Sequence, residues 1–148
     1  MNNYDLLIRQ IEGIIDPTLP IYFNLSNVSA ILNQINDINW VGFYIVNGEE
    51  LLLGPFQGEV ACTRIPKGKG VCGTSLLYKE TIIVDDVYKF KGHIACSAKS
   101  KSEIVVPIIK DENVVALIDV DSPIYSRFSI KEKDFLIEVS KLLSKTLF

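Results

Sequence analysis

Trp40-Val41-Gly42-Phe43-Tyr44-Ile45-Val46-Asn47-Gly48 is the stretch that decides the fold class. Val41, Phe43 and Ile45 alternate with Trp40, Gly42 and Tyr44, which places them on opposite faces of a strand. Asn47-Gly48 that follows is the strongest short hairpin signal. Leu51 to Leu53 reads as the return strand, Gly54-Pro55 breaks its pattern, and Val60 to Ile65 reads as a third strand ending at Pro66.

Upstream, the period is helical. Tyr4, Leu7, Ile8, Ile11, Ile14 and Ile15 share one stripe, stopped by Asp16-Pro17. Leu25, Val28, Ile31, Leu32 and Ile35 make a second stripe after a candidate cap at Asn24. Downstream, the glycine-rich turn 66–73 leads into a short helical stretch, Thr74 to Tyr78, with Cys72 at or near its start. Thr81 to Val84 is a short strand, and residues 85–102 form a long polar connection of the kind that usually carries function. Ile104 to Ile109 and Val114 to Val120 make a second hairpin, in which Pro107 implies an edge position or a bulge. Ser129-Ile130-Lys131-Glu132 is a capping box opening a last helix, with Phe135, Leu136, Val139, Leu142 and Leu143 on its apolar stripe. The expected fold is α+β: a central, mainly antiparallel sheet of about six strands, with two N-terminal helices and one C-terminal helix packed on it. A single domain over residues 1–148 accommodates it.

Bulk properties exclude several function classes. The chain is 48% hydrophobic and 22% charged, as an ordered globular protein is. No apolar run approaches the ~18 residues of a membrane span, and Asp5 and Arg9 stand where a signal peptide would be apolar, so the expected location is the cytoplasm. A pI near 5.2 argues against a nucleic-acid partner.

Chemistry gathers in one window. All three cysteines, Cys62, Cys72 and Cys96, fall between residues 62 and 96, which in a chain without signs of export suggests reactive thiols or a metal site. Residues 62–102 hold eight Lys or Arg against three acids, and positive surroundings favour the nucleophilic thiolate. Gly68-Lys69-Gly70-Val71-Cys72-Gly73 matches a dinucleotide fingerprint, but the preceding strand is not apolar and the βαβαβ alternation is missing, so the glycines read as a turn requiring positive φ. Cys62, Cys72, His93 and Cys96 supply the donor types of a zinc site, although only His93 and Cys96 have the tight spacing such sites favour. A small buried hydrophobe is the blander reading of each cysteine, best suited to Cys62 as a strand residue. Asp119 and Asp121 project from one face of an apolar strand, unless the strand has ended and Asp121 belongs to the turn before Pro123. If residues 103 and 119 pair, Glu103 joins them; a one-residue change of register puts it on the other face. Convergence of the three would keep at least one protonated near neutral pH, supplying a proton donor.

These residues resemble the free methionine-(R)-sulfoxide reductases built on the GAF domain. The resemblance is carried by Trp-Val-Gly-Phe-Tyr at 40–44, Leu-Gly-Pro-Phe-Gln-Gly at 53–58, Ala-Cys at 61–62, Gly-Lys-Gly-Val-Cys-Gly-Thr at 68–74, Gly-His-Ile-Ala-Cys at 92–96, Ser-Glu-Ile-Val at 102–105 and Ile-Asp-Val-Asp-Ser at 118–122. It implies that Cys96 is the catalytic thiol, Cys62 its resolving partner and Cys72 an accessory thiol. It further implies that Glu103, Asp119 and Asp121 bind substrate, and that the protein is a homodimer. Trp40 and Tyr44 would wall the substrate's methyl group. Reduction of free methionine (R)-sulfoxide, with thioredoxin regenerating the enzyme and no cofactor, is the expected activity. The alternatives are a non-catalytic GAF sensor of a small ligand and a zinc-stabilised Cys3His interaction module. The loop at 92–97 with Trp40, Tyr44 and the carboxylates is expected to bound the pocket, and residues 85–101 are expected to close over substrate.

Overall fold

A computed structural model describes residues 3–93, 96 and 98–148. Among these residues the elements run α1 (Asn3–Ile14), α2 (Ile21–Leu32), β1 (Trp40–Asn47), β2 (Glu50–Gln57), β3 (Arg64–Pro66), α3 (Gly70–Tyr78), β4 (Ile82–Val84), β5 (Ser102–Lys110), β6 (Asn113–Ser122) and α4 (Ile130–Leu147). The six strands form one sheet in the order β3-β2-β1-β6-β5-β4, each neighbouring pair antiparallel. No helix among the described residues is long and apolar enough to cross a membrane.

The sheet buries both faces, and its side chains divide by parity. Val41 and Phe43 of β1, with Ile104, Val106, Ile108, Ala116, Ile118 and Val120 of β5 and β6, pack against the apolar stripes of α1, α2 and α4. Trp40, Tyr44, Val105 and Leu117 project the other way, onto Val71, Cys72 and Leu76 of α3. The capping box of α4 forms as its sequence requires: Ser129 Oγ accepts from the helix's first turn while Glu132 Oε1 accepts from the Ser129 amide at 2.8 Å. Glu132 Oε2 also accepts from the Tyr4 hydroxyl at 2.6 Å, tying α4 to α1.

Four local expectations are corrected. β2 runs on through Gly54-Pro55, because the β1–β2 register shifts there: Gly42 faces Phe56 and Tyr44 faces Leu53, which leaves Gly54 and Pro55 together opposite Phe43. A bulge is where a missing proline N–H costs the ladder least. The third strand is only Arg64–Pro66, so Cys62 lies before it in an irregular segment. Asn24 does not cap α2, which opens at Ile21 after Pro20; its side chain instead bonds back to the Asp16 amide at 2.6 Å and carbonyl at 2.9 Å, bracing the α1–α2 turn. α3 begins at Gly70, earlier than expected, so Cys72 stands in its first turn.

Pro107 sits in an interior strand, yet β4 covers only Glu103 to Val105 of β5, so from Val106 onward the outer side of β5 has no strand partner among the described residues. A bulge follows at Ile108/Ile109. Gly68 and Gly70 adopt φ of 85° and 63°, the turn geometry expected of that glycine-rich stretch.

Candidate active site

The register of β5 on β6 assembles the acidic group. Glu103 pairs with Asp121 and Val105 with Asp119, so the offset from a 103–119 pairing is two residues. Parity is kept, and all three carboxylates face α3. Asp121 lies within β6, and the alternative that it is a turn residue is thereby set aside. Cys72, in the first turn of α3, comes down on the same point: its sulfur and one carboxylate oxygen each of Glu103 and Asp119 lie within 4.8 Å of one another, all three residues buried.

A cavity of about 50 Å³ opens here, and Trp40, Tyr44, Cys72, His93, Cys96, Ser100, Glu103, Asp119 and Asp121 all line it. The lining thus brings Trp40, Tyr44, His93 and Cys96 together with the three carboxyl groups. Trp40 stacks between Phe56, at 5.2 Å, and Tyr44, at 6.0 Å. Its indole N–H donates to the Glu59 carbonyl at 3.1 Å, and the Tyr44 hydroxyl donates to the Cys62 carbonyl at 2.9 Å. These two bonds hold the segment between β2 and β3 against the mouth of the cavity. Residues 94, 95 and 97 of the expected 92–97 wall lie outside the described residues.

Cys62 and Cys96 are joined in a disulfide with their Cα atoms 5.5 Å apart. Both are half-buried, and Cys96 faces the cavity directly. Cys62 is thus neither a strand residue nor an inert buried hydrophobe, and a Cys3His zinc site loses two of its four donors to each other. Lys99 and Glu59 join the same two segments by an ion pair at 2.6 Å, exposed on both sides and worth little by itself.

Burial raises the pKa of all three carboxyl groups. For Glu103 and Asp121 the repulsion of the neighbouring carboxylates adds to burial, whereas for Asp119 hydrogen bonds from Glu103, Cys72 and Asp121 work against it. The group therefore retains protons near neutral pH, and Asp119 is the member best able to ionise. Burial also lowers the pKa of His93, leaving it neutral.

The basic window misleads for Cys72. Burial and then the carboxylates of Asp119, Glu103 and Asp121 push that thiol well up, because the basic residues counted along the sequence are exposed while the acids are buried beside the sulfur. Oδ1 of Asp119, Oδ1 of Asp121 and Oδ1 of Asn39 are buried without a hydrogen-bond partner among the described residues. Ser100 was not singled out by sequence; its hydroxyl accepts from Asn39 Nδ2 at 3.2 Å and works against the rise in the Asp121 pKa. Nothing in the composition of a loop distinguishes such a serine from a solvated one.

The GAF domain model matches residues 24–147. GAF domain-containing protein A of Dictyostelium discoideum is 49% identical over 141 residues, covering 95% of this chain and 89% of that protein. Free methionine-R-sulfoxide reductase of Saccharomyces cerevisiae is 46% identical over 149 residues, covering 95% and 83%. The structure of fRMsr of Staphylococcus aureus in its reduced form superposes with a TM-score of 0.94 at 49% identity, covering 100% of this chain and 97% of that one; its complex with substrate gives 0.92 at 48%.

Proposed function

Since the chain belongs to the GAF-domain family, and within it to the free methionine-R-sulfoxide reductases, we propose that it reduces free methionine (R)-sulfoxide to methionine through Cys96 and Cys62, acting as a single domain. The observation that carries this reading is the Cys62–Cys96 disulfide opening onto the same cavity as three buried carboxyl groups. A module that only holds a ligand has no need of a redox pair at the mouth of its site.

The chemistry follows from the groups present. In the reduced protein the Cys96 thiolate attacks the sulfoxide sulfur while a protonated carboxyl, Glu103 or Asp121, hydrogen-bonds the oxygen and passes its proton to it. The protonated oxygen then migrates from the substrate sulfur to Cys96 Sγ as the bond between the two sulfurs breaks, so methionine departs and Cys96 is left as a sulfenic acid. The Cys62 thiol displaces that oxygen as water, forming the disulfide and preventing further oxidation. Two electrons have then moved from two thiols to one sulfoxide. An external dithiol, thioredoxin in our reading, restores both thiols by exchange. Asp119, ionised, pairs with the substrate ammonium, which accounts for an enzyme of the free amino acid. Trp40 and Tyr44 flank the thioether carbons. Cys72, buried at 4% exposure and kept as a thiol, donates toward Asp119 and serves as an accessory group. A homodimer has apolar surface available to it where Leu6, Ile14, Leu19, Tyr22 and Phe23 are exposed on α1, α2 and their connection.

Single-turnover release of methionine from reduced protein tests the division of labour. Cys96→Ser releases none. Cys62→Ser releases about one methionine per chain, traps as a sulfenic acid, and then stalls unless a small thiol is added. Cys72→Ser is milder than either. First-turnover release by Cys96→Ser, together with its loss in Cys62→Ser, would falsify the assignment.

A further inference from the structure

We propose that Cys72, Glu103 and Asp119 form a site for one thiophilic divalent cation, Zn²⁺ or Cd²⁺, and that the ion excludes substrate from the cavity. The three donor atoms lie within 4.8 Å of one another. A tetrahedral site with sulfur and oxygen ligands needs donor separations of about 3.5 Å, so small side-chain rotations bring them onto a common ion. All three come from regular elements, α3, β5 and β6, and are held by packing on both sides.

A second observation points to a cation independently of this clustering. Asp119 is 5% exposed, and its Oδ1 is enclosed with no hydrogen-bond donor among the described residues. A carboxylate oxygen only accepts, so an enclosed one without a donor, on a side chain that lines the cavity, is a place for a positive charge. Oδ1 of Asp121, two residues on and on the same face, is in the same condition. The cavity of about 50 Å³ holds an ion with a water or two, since a single water needs only about 10–15 Å³ on the same measure. Three protein ligands with one open position is the pattern of a tetrahedral site that keeps a water.

The donor set selects the metal. A sulfur beside two carboxylates suits Zn²⁺ and Cd²⁺ and is a poor match for Mg²⁺ or Ca²⁺, which take oxygen alone. The set is also independent of the redox cycle. Cys72 is free while Cys62 and Cys96 are bonded, so the ion binds oxidised and reduced protein alike. This separates the site from the Cys3His arrangement, which the disulfide dismantles.

Exclusion of substrate rests on the reading of these carboxylates as the groups that hold a free amino acid; binding of the ion does not. The test therefore uses oxidised protein, in which Cys72 is the one free thiol. Cd²⁺ is titrated into it and the thiolate-to-cadmium absorption in the ultraviolet is followed. One Cd²⁺ per chain is expected, with the band lost in Cys72→Ser and in Cys72→Ala, and with at least tenfold weaker binding but a retained band in Asp119→Asn. Thermal unfolding of each variant separates a lost ligand from a lost fold. Free methionine is expected to displace the ion. Absence of the band, or its persistence without Cys72, overturns the site. A band that depends on Cys72 and survives saturating methionine leaves the site standing and overturns the exclusion, and with it the placement of the amino acid on these carboxylates.

Discussion

Replacing Tyr44 by phenylalanine removes one oxygen atom from the wall of the cavity, and that atom holds the backbone of Cys62, the resolving thiol of the proposed cycle. The ring is 2% exposed and stacked against Trp40, so phenylalanine keeps its place. What is lost is the bond to the Cys62 carbonyl at 2.9 Å. Cys62 is half-buried, so water can reach the carbonyl, and the loss amounts to one neutral hydrogen bond of about 0.5–1.5 kcal/mol. If that bond positions Cys62 to meet the sulfenic acid on Cys96, disulfide formation slows by about 2- to 13-fold, at 1.36 kcal/mol per factor of ten. The attack of Cys96 on the sulfoxide precedes this step and is unaffected. Rapid quenching of reduced Tyr44→Phe with one equivalent of methionine sulfoxide, with methionine and disulfide measured in the same samples, reads both steps. A methionine burst at the wild-type rate followed by delayed disulfide is the expected result. A slowed burst, with disulfide following each methionine without added lag, would place the hydroxyl on the substrate and refute the reasoning.

Burial alone would raise the pKa of Glu132, but the bonds from Tyr4 and Ser129 and the Arg127 charge overcome it and hold the carboxyl below its ordinary value of 4.5. Its stabilisation is therefore complete above that value and disappears as pH falls through the lower folded one. Glu132→Gln should lose about 1.5–3 kcal/mol at pH 7, about 2–4 °C of Tm per kcal/mol in a chain of this size, and the gap from wild type should close in acid. A gap that widens on acidification would contradict it. Gly42→Ala should be costly, by about 1–3 kcal/mol, because the new methyl collides with Phe56 Cβ and lies 2.8 Å from its Cα and 2.9 Å from the Pro55 carbonyl, none of which can move without opening the bulge. Gly13→Ala, with open space around it inside α1, should instead stabilise by up to about 1 kcal/mol, and thermal unfolding of the pair checks both signs.

Much of the fold was legible because periodicity reports burial directly. The alternation from Trp40 to Ile45, the stripe of Leu7, Ile8 and Ile11 and the capping box at Ser129 all respond to local forces and all form. The errors fell where a distant partner decides. Pro55 continues a strand because a bulge opposite Phe43 absorbs it, and Asn24 serves the preceding turn because Asp16 is within reach. In the site, the cysteines and carboxylates were legible as residue types, and their convergence hung on a register that alternation constrains only modulo two. Glu103 opposite Asp121 preserves the face that Glu103 opposite Asp119 would have given. The protonation of Cys72 was misread for a different reason: charge along a sequence is not charge in space, and eight basic residues nearby in the chain are outweighed by three acids nearby in the fold.

On β5 and β6, Ile104, Val106, Ile108, Ala116, Ile118 and Val120 face the helices and the carboxylates of Glu103, Asp119 and Asp121 face the cavity, while past the bulge Val114 turns to the cavity side. Two messages are thereby interleaved on one pair of strands, and they tolerate change differently. Substitutions at the acidic positions alter what the pocket recognises, while the helix-facing positions, with Val105 and Leu117 on the pocket side, keep both apolar layers intact. A one-residue slide of β5 against β6 beyond the bulge at Ile108/Ile109 is another matter, since it exchanges the two sets and buries acids where valines were. Point mutation is thus the open road for diversification of this pocket, and a one-residue slip of these strands is closed to it.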